Sequence, residues 1–375
     1  MSRRTDRGCF ALVAGGGTAG HVLPAIAIAR SFVAHGHEPS SIELVGSERG
    51  LEARLVPAAG FAITLLPGRG FERRLSLQNL RSLVALVRAS FRAWRLVGRR
   101  RPRVVVSVGG YASVPCALAA AVRRIPVVVA ESNAMPGAAN RLVARFAKAS
   151  AVAFPGTPLP RAVVTGNPVR PEVLAIDRGR DAIGARTKLD VEPGRRLLLV
   201  FGGSLGALRI NRAVLEAVRG WAARTDLHVR HVVGSRDWTE IAGAGSPLPP
   251  GAALRYDAVE YDDDMPTALA AADLVVSRSG ASTSFELLAA GLPAVLVPSP
   301  HVTADHQTAN ARNLKAAGAA VVVPDAELDG DRLAAEVDRL LADPGRLAAM
   351  AAAARAAARP DAADAIAALA EEHAR

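Results

Sequence analysis

The sequence predicts an α/β protein built of two Rossmann-like, doubly wound halves, and three observations carry that prediction. Short apolar strands alternate with helical stretches along most of the chain. Three of those strands run straight into glycine-rich turns that precede helices, and the pattern restarts after a proline-rich stretch near the middle. The length of 375 residues suits two domains of about 150–200 residues each.

Taken in order, Phe10 to Ala14 predicts a first strand, followed by the turn Gly15-Gly16-Gly17-Thr18-Ala19-Gly20-His21 and a helix from about Val22 to His35. The glycines fit a template whose backbone N–H groups and helix N-terminus receive phosphate; a nicotinamide-binding fold would use the same turn. His21 adds an imidazole at the mouth of that turn, as a titrating group or as a cap or packing residue. The alternation predicts strands at 42–46, 62–65 and 103–107, with a helix near 48–58 and an arginine-rich helix before the last of them. Val108-Gly109-Gly110-Tyr111 is the second glycine turn, and the strand Val127 to Ala130 delivers Glu131-Ser132-Asn133. Three strands then end in polar or glycine-rich loops on one edge, which predicts a cleft there.

From Pro155 to Pro171 the proline density rises, and this stretch reads as the linker. The second half opens with the strand Arg196 to Phe201, the third turn Gly202-Gly203-Ser204-Leu205-Gly206-Ala207 and a helix from Leu208 to Trp221. Strands follow at 227–233 and 253–255. Asp262-Asp263-Asp264 precede Met265-Pro266 and an alanine-rich helix, where they read as N-terminal charges in preference to a metal site. The alanine-rich end, about 346 to 375, is helical by propensity with a break at Arg359-Pro360.

The stretch from Ser277 to Ala311 concentrates the polar chemistry. A strand ends in Arg278-Ser279-Gly280, and a helix starts near Thr283. Thr283 and Glu286 form a capping-box pattern, so Glu286 is a cap or, alternatively, a carboxylate that accepts from both hydroxyls of a ribose. After the strand Ala294 to Val297, His301, Asp305, His306, Gln307 and Asn310 fall within ten residues, and Gln307 offers both a donor and an acceptor to sugar hydroxyls.

Composition bounds the rest. Half the residues are hydrophobic, as in a folded α/β protein. Cys9 and Cys116 are the two cysteines, too few for a disulfide framework or a thiolate metal site. No apolar run reaches the roughly 18 residues of a membrane helix, and no secretory segment precedes the first strand. The expected place is therefore the cytosol or the cytosolic face of a membrane. The net charge is +11, and eleven of the arginines, including Arg69, Arg73, Arg74, Arg81, Arg88, Arg92, Arg95 and Arg99, crowd into 69–103 among Leu83, Val87, Phe91 and Trp94. That is a basic amphipathic helix suited to anionic lipid, or a surface helix whose apolar stripe faces its own sheet. No nucleic-acid motif stands beside the charge.

Together these motifs resemble the MurG family of bacterial N-acetylglucosaminyltransferases over nearly the whole chain. The resemblance rests on Gly16-Gly17-Thr18-Ala19-Gly20-His21, Gly109-Gly110-Tyr111, Gly166-Asn167-Pro168-Val169-Arg170, the turn 202–207, Ser277 to Ala281 with Glu286, and the run 306–311. The departures are Ala19 for a glycine, Leu205 for a glutamine, and Ala130 and Ser132 for the family's His and Gln.

The resemblance implies the GT-B fold, two Rossmann-like domains separated by a deep cleft. The first, 1–167, would bind acceptor and membrane; the second, 168–357, would bind UDP-GlcNAc; and a helix at about 358–375 would pack back on the first. The implied reaction is inverting transfer of GlcNAc from UDP-GlcNAc to the C4 hydroxyl of MurNAc in undecaprenyl-pyrophosphoryl-MurNAc-pentapeptide (lipid I), giving lipid II without cofactor or metal. His21, then Glu131, are the implied candidates for general base. Arg170, Ser204 and Gly206 would receive the diphosphate, Glu286 the ribose, and Gln307, Asn133, Thr18, Ala19 and Gly20 the donor sugar and its surroundings, with Tyr111 beside them. An anionic membrane surface is the implied docking partner, alongside other cell-wall synthesis and division proteins, with no nucleic acid. A UDP-sugar 2-epimerase, a nicotinamide-dependent oxidoreductase and a non-catalytic nucleotide-sugar-binding subunit are the alternatives.

Overall fold

The computed structural model describes residues 8–16, 19–48, 50–67, 77–203, 206–243 and 245–375, with backbone alone for Ala19 and 77–84. Thr18, Ser204 and Leu205, and Arg69, Arg73 and Arg74 of the basic segment, lie outside the described residues; of Ala19 and Arg81 only the backbone is described. The chain divides into two compact units, Met1–Val169 with Arg359–Arg375, and Arg170–Ala358.

The first unit holds strands β1 (Ala11–Gly15), β2 (Ile42–Ser47), β3 (Ala62–Leu66), β4 (Val104–Gly109), β5 (Val127–Glu131), β6 (Ala149–Val152) and β7 (Ala162–Val164). They form one sheet in the order β3-β2-β1-β4-β5-β6-β7, every pair parallel. Parallel strands need crossovers, and helices here cover both faces. Leu12, Ala14 and Val105 face helices Leu77–Arg100 and Ser113–Val122 through Ala93, Val97, Cys116 and Ala120. Their neighbours Ala11, Val13 and Val106 face helix Ala19–Ala34 through Ile28 and Phe32, and helix Ala362–His373 through Ile366 and Ala370. Successive residues thus take opposite faces, and both faces are dry, as an all-parallel sheet requires.

The second unit holds β8 (Arg196–Phe201), β9 (Leu227–Val232), β10 (Arg255–Val259), β11 (Leu274–Ser277), β12 (Ala294–Leu296) and β13 (Ala320–Val322). Their order is β10-β9-β8-β11-β12-β13, again all parallel. Leu198, Val200, Leu274 and Val276 pack against helices Leu208–Gly220, Gly330–Leu341 and Pro344–Ala357. Leu197 faces the other way, onto Ala185, Ala270 and Ala271.

Each sheet reverses its order between its first and fourth strands, at β1/β4 and at β8/β11. The crossovers diverge there and leave room outside the carboxyl ends of the strands. The two sheets place a glycine turn or the Arg278-Ser279-Gly280 turn at all four of those ends.

Several expectations are corrected. The proline-rich linker contains β7, and the chain stays with the first unit until Val169. The strand expected at 253–255 lies at Arg255–Val259. Helix Ala281–Ala289 starts at the N-cap Gly280, which makes no side-chain cap bond. Thr283 and Glu286 therefore lie inside the helix and do not form a capping box, because Gly280 already takes the extended conformation a cap needs.

Candidate active site

In the first unit the glycine turns after β1 and β4 close on each other. Gly110 has φ +80°, and a Cβ there would lie 2.2 Å from the Gly16 carbonyl oxygen, so no larger residue fits. The register also shifts between Ala14 and Gly15, which pairs Gly15 with Gly109. Over this junction sits His21, half-exposed in the first turn of helix Ala19–Ala34 beside Gly20. A Cβ at Gly109 would come 3.2 Å from His21 Nε2 and 3.3 Å from Asn140 Nδ2.

Glu131 ends β5 and is buried. Its Oε1 accepts from the Asn133 backbone N–H at 2.9 Å and from Asn133 Nδ2 at 3.2 Å. Its Oε2 accepts from the Gly137 N–H at 3.1 Å and from Asn140 Nδ2 at 3.0 Å. Four donors to one carboxylate hold the loop 132–137 in place. Asn140 also donates to the Ala130 carbonyl and accepts from Ser107 Oγ, so one buried amide ties β4, β5 and the His21 junction together. Tyr111 follows Gly110 and packs against the apolar core on this face of the sheet, and burial pushes its phenol pKa up.

In the second unit the turn after β8 opens helix Leu208–Gly220, whose first N–H groups and dipole suit an anion. A cavity of about 820 Å³ lies there, lined among others by Gly202, Gly206, Arg212, Arg236, Arg278 and Gln307. Its cations differ in availability. Arg278 is half-buried against Asp325 at 2.5 Å and also donates to the Val297 carbonyl at 3.1 Å, tying the turn after β11 to the end of β12. Arg209 donates to the Ala326 and Leu328 carbonyls. Arg212 and Arg236 are exposed and pair with Glu240 and Asp237 at 2.8 and 3.4 Å.

Gln307 is held from both ends. Its Oε1 accepts from the Ser299 N–H at 2.8 Å, and its carbonyl accepts from Ser279 Oγ at 2.9 Å. Asn310, buried, donates to the Ser279 carbonyl at 3.1 Å. Arg170 and Glu286 meet through Nε–Oε1 at 2.7 Å, across the start of the second unit and helix Ala281–Ala289. Burial disfavours the Arg170 charge, but the bond and charge of Glu286 outweigh it and hold the guanidinium above its ordinary range. Asp264 caps helix Met265–Ala271 and pairs with Lys188, while Asp262 pairs with Arg230 at 2.7 Å.

The structure therefore gathers His21, Gly20, Glu131 and Asn133 around the β1/β4 junction, and Gly206 and Gln307 around the cavity beside β8. Sequence reasoning missed Asn140, Arg209, Arg212 and Arg236, whose signal was their place one helical turn past a glycine turn or strand end. It also missed Asn211 and His231, buried polar residues on the helix and strand behind the third glycine turn.

Two parallel sheets, each with a glycine turn at its switch point, are the GT-B architecture of two Rossmann-like domains. The N-terminal domain model of glycosyltransferase family 28 matches residues 11–152, and the C-terminal domain model matches residues 197–366. The UDP-N-acetylglucosamine–N-acetylmuramyl-(pentapeptide) pyrophosphoryl-undecaprenol N-acetylglucosamine transferase of Salinibacter ruber is 43% identical over 360 residues, covering 95% of this chain and 94% of its own. That of Clavibacter sepedonicus is 45% identical over 341 residues, covering 90% and 89%. The crystal structure of Acinetobacter baumannii MurG superposes with a TM-score of 0.78 at 28% identity, covering 97% of this chain and 99% of its own. A UDP-N-acetylglucosamine 2-epimerase shares the fold at 14% identity, with a TM-score of 0.63 and coverage of 94% and 93%. The chain belongs to glycosyltransferase family 28 and, within it, to the MurG family.

Proposed function

We propose that this chain transfers GlcNAc from UDP-GlcNAc to the C4 hydroxyl of MurNAc in undecaprenyl-pyrophosphoryl-MurNAc-pentapeptide, with inversion, to make lipid II. The observation that carries this is the match to transferases of that name along 95% of the chain, together with family models whose bounds take in every glycine turn described above. In this reading His21 takes the proton from the acceptor hydroxyl as it attacks the anomeric carbon from the face opposite UDP. Glu131 is the weaker candidate for base, because its oxygens already accept four hydrogen bonds; it and Asn140 shape the pocket in which His21 works.

The charge that develops on the leaving diphosphate falls on backbone N–H groups of the turn 202–206, on Ser204 within it, and on arginine. The cavity is large enough for a nucleotide-sugar. Glu286 takes the ribose hydroxyls with its carboxylate oriented by Arg170, whose terminal nitrogens remain for the diphosphate. Gln307, Asn133, Tyr111 and the turn through Thr18, Ala19 and Gly20 complete the contacts to the donor sugar and its surroundings.

Docking on an anionic membrane surface belongs to the same reading, since the acceptor carries an undecaprenyl chain. Among the described residues no helix is long and apolar enough to cross a membrane. Helices Leu77–Arg100 and Ser113–Val122 pack together and expose Val87 (63%), Phe91 (60%), Trp94 (40%) and Val122 (70%). Arg88, Arg92, Arg95, Arg123 and Arg124 are exposed around them, and Arg123 stacks on Trp94 at 3.9 Å.

The test is transfer of labelled GlcNAc from UDP-GlcNAc to a short-chain lipid I analogue in EDTA, with UDP-GalNAc as control. Transfer is expected, and His21→Ala should lower kcat by about 10²–10⁴ while UDP binding persists. UDP-GlcNAc binding without transfer would favour a binding subunit, and epimer formed by the enzyme alone would favour the epimerase.

A further inference from the structure

Behind the third glycine turn runs a buried chain of polar side chains that the proposed mechanism leaves unused. Tyr256 Oη lies 3.0 Å from His231 Nδ1, and His231 Nε2 lies 3.0 Å from Asn211 Oδ1. Asn211 Nδ2 reaches the Val233 carbonyl at 3.1 Å and Asp237 Oδ2 at 3.0 Å. Asn211 and His231 are fully buried, and Asp237 nearly so.

The direction of every bond follows from chemistry. A backbone carbonyl only accepts, so the Asn211 atom facing Val233 is its NH2 and the atom facing His231 is its carbonyl oxygen. That oxygen also only accepts, so the proton of His231 sits on Nε2. Nδ1 is then bare, and the Tyr256 hydroxyl donates to it. The donors run Tyr256 to His231 to Asn211 to Asp237 and end on a carboxylate. Burial, which lowers the imidazole pKa to about 4, keeps the ring neutral as this order demands.

The far end of the chain is the seat of Gly206. That residue has φ +86°, and its N–H bonds to the Gly203 carbonyl at 2.9 Å. A Cβ on it would lie 2.5 Å from the Val233 carbonyl oxygen and 2.7 Å from Asp237 Oδ2. These are the two acceptors that the Asn211 amide holds. The backbone of the turn thus closes onto a surface whose atoms Asn211 fixes, immediately before the helix whose N-terminus faces the cavity.

We propose that Asn211, oriented by His231 and Tyr256, is a positioning residue for the donor: it seats Gly206, whose own N–H closes the turn on Gly203, so that the other N–H groups of the turn and helix start meet the diphosphate. The inference rests on the reading of that turn as the diphosphate seat. An unpaired amide or imidazole here lets Val233 and Asp237 move, and binding of the charged donor weakens while the acceptor side is untouched.

The experiment measures UDP affinity by calorimetry, and donor KM, acceptor KM and kcat by transfer, for the full chain and four variants. Asn211→Ala and His231→Phe are expected to raise the UDP Kd and donor KM by about tenfold, with kcat at saturating donor and acceptor KM within about twofold. His231→Gln, whose amide nitrogen can still donate to Asn211, is expected to restore near wild-type donor KM, and Tyr256→Phe to give a smaller rise. Nitrogen NMR of the wild-type imidazole should show the Nε2–H tautomer. Should Asn211→Ala fail to fold, the contrast between His231→Gln, His231→Phe and Tyr256→Phe carries the test. Unchanged donor KM in folded His231→Phe, an Nδ1–H tautomer, or equal losses for the Phe and Gln variants would overturn the proposal. A wild-type chain that binds no UDP would instead overturn the functional reading beneath it.

Discussion

Ala304 and Asp305, in the loop that leads to Gln307, both adopt left-handed backbone, with φ +56° and +49°. A non-glycine residue there costs on the order of 1–2 kcal/mol, and alanine has no side-chain oxygen with which to recover any of it. Ala304→Gly is accordingly expected to raise stability by about 1 kcal/mol, read as a higher midpoint in urea, less what glycine adds to the entropy of the unfolded chain. A fall in midpoint would mean that the Ala304 methyl group makes contacts worth more than the strain. Nothing in the sequence signals this conformation at Ala304, whereas Asp305 is of a type that adopts it more readily. His231 makes a second prediction at this scale. Its folded pKa of about 4 lies below the ordinary value of 6.5, so the folded imidazole stays neutral while the unfolded one takes up a proton. Stability from this group is full above pH 6.5 and falls as pH drops from 6.5 to 4, by up to about 3 kcal/mol. His231→Gln should flatten that part of a stability–pH curve, whatever its effect on the midpoint at pH 8.

Among the elements, helix Ala362–His373 shows how far local signals carry. The break at Arg359-Pro360 was legible, since proline cannot continue a helix, and the alanine-rich helix beyond it was legible by propensity. Which face it covers was not, because small residues line most of its surface. In the structure Ile366, Ala367 and Ala370 close the second face of the first sheet, and Glu371 accepts from His35 Nδ1 and His37 Nε2, each at 3.0 Å. Ile366→Ala is expected to cost about 2–4 kcal/mol in the unfolding of the first unit, since Ile366 is 2% exposed and packs in the core shared by the sheet and helix Ala19–Ala34. A cost below about 1 kcal/mol would show the helix to be only loosely docked. Three strands, β6, β7 and β13, escaped sequence reading, and β10 was read short. β7 and β13 are three-residue edge strands, β6 is a four-residue Ala-Ser-Ala-Val strand too short and small to form an apolar run, and β10 is an edge strand whose Tyr256 and Asp257 break one. Central strands such as β4 and β8 are continuous apolar runs and were plain. The same contrast governs the site. The glycine turns were legible because backbone geometry demands glycine, whereas the Arg170–Glu286 pair and the Asn211 chain join residues far apart in sequence.

At the scale of the whole molecule the net charge of +11 counts only where it is placed. Much of the arginine is spent internally: Arg100 on Glu43 at 2.6 Å, Arg186 on Asp273 at 3.0 Å, Arg224 on Asp338 and Asp226. The exposed apolar cluster of helix Leu77–Arg100 is different. Its Arg88 and Arg95 are exposed on the helix that carries Phe91 and Trp94, and Arg92 pairs with an exposed Glu48 at 2.9 Å. Near an anionic lipid surface each such charge contributes about 1 kcal/mol, and the apolar side chains add their burial to it. The triple change Arg88→Ala, Arg92→Ala, Arg95→Ala is therefore expected to weaken binding to phosphatidylglycerol vesicles on the order of 100-fold at low salt, somewhat less if Glu48 already neutralises part of Arg92. Phe91→Ser should weaken binding with little change in its salt dependence, because it removes area and not charge. Since the Debye length shrinks from about 10 Å at 0.1 M to about 3 Å at 1 M salt, wild-type binding should fall steeply across that range, and the triple variant's, with fewer arginines left on the patch, should fall less steeply. Transfer to a water-soluble acceptor analogue should be unchanged in all of them. Vesicle binding that survives the triple change at every salt concentration would place the docking surface elsewhere, and loss of soluble-acceptor transfer in the same variant would mean that this helix serves the active site itself.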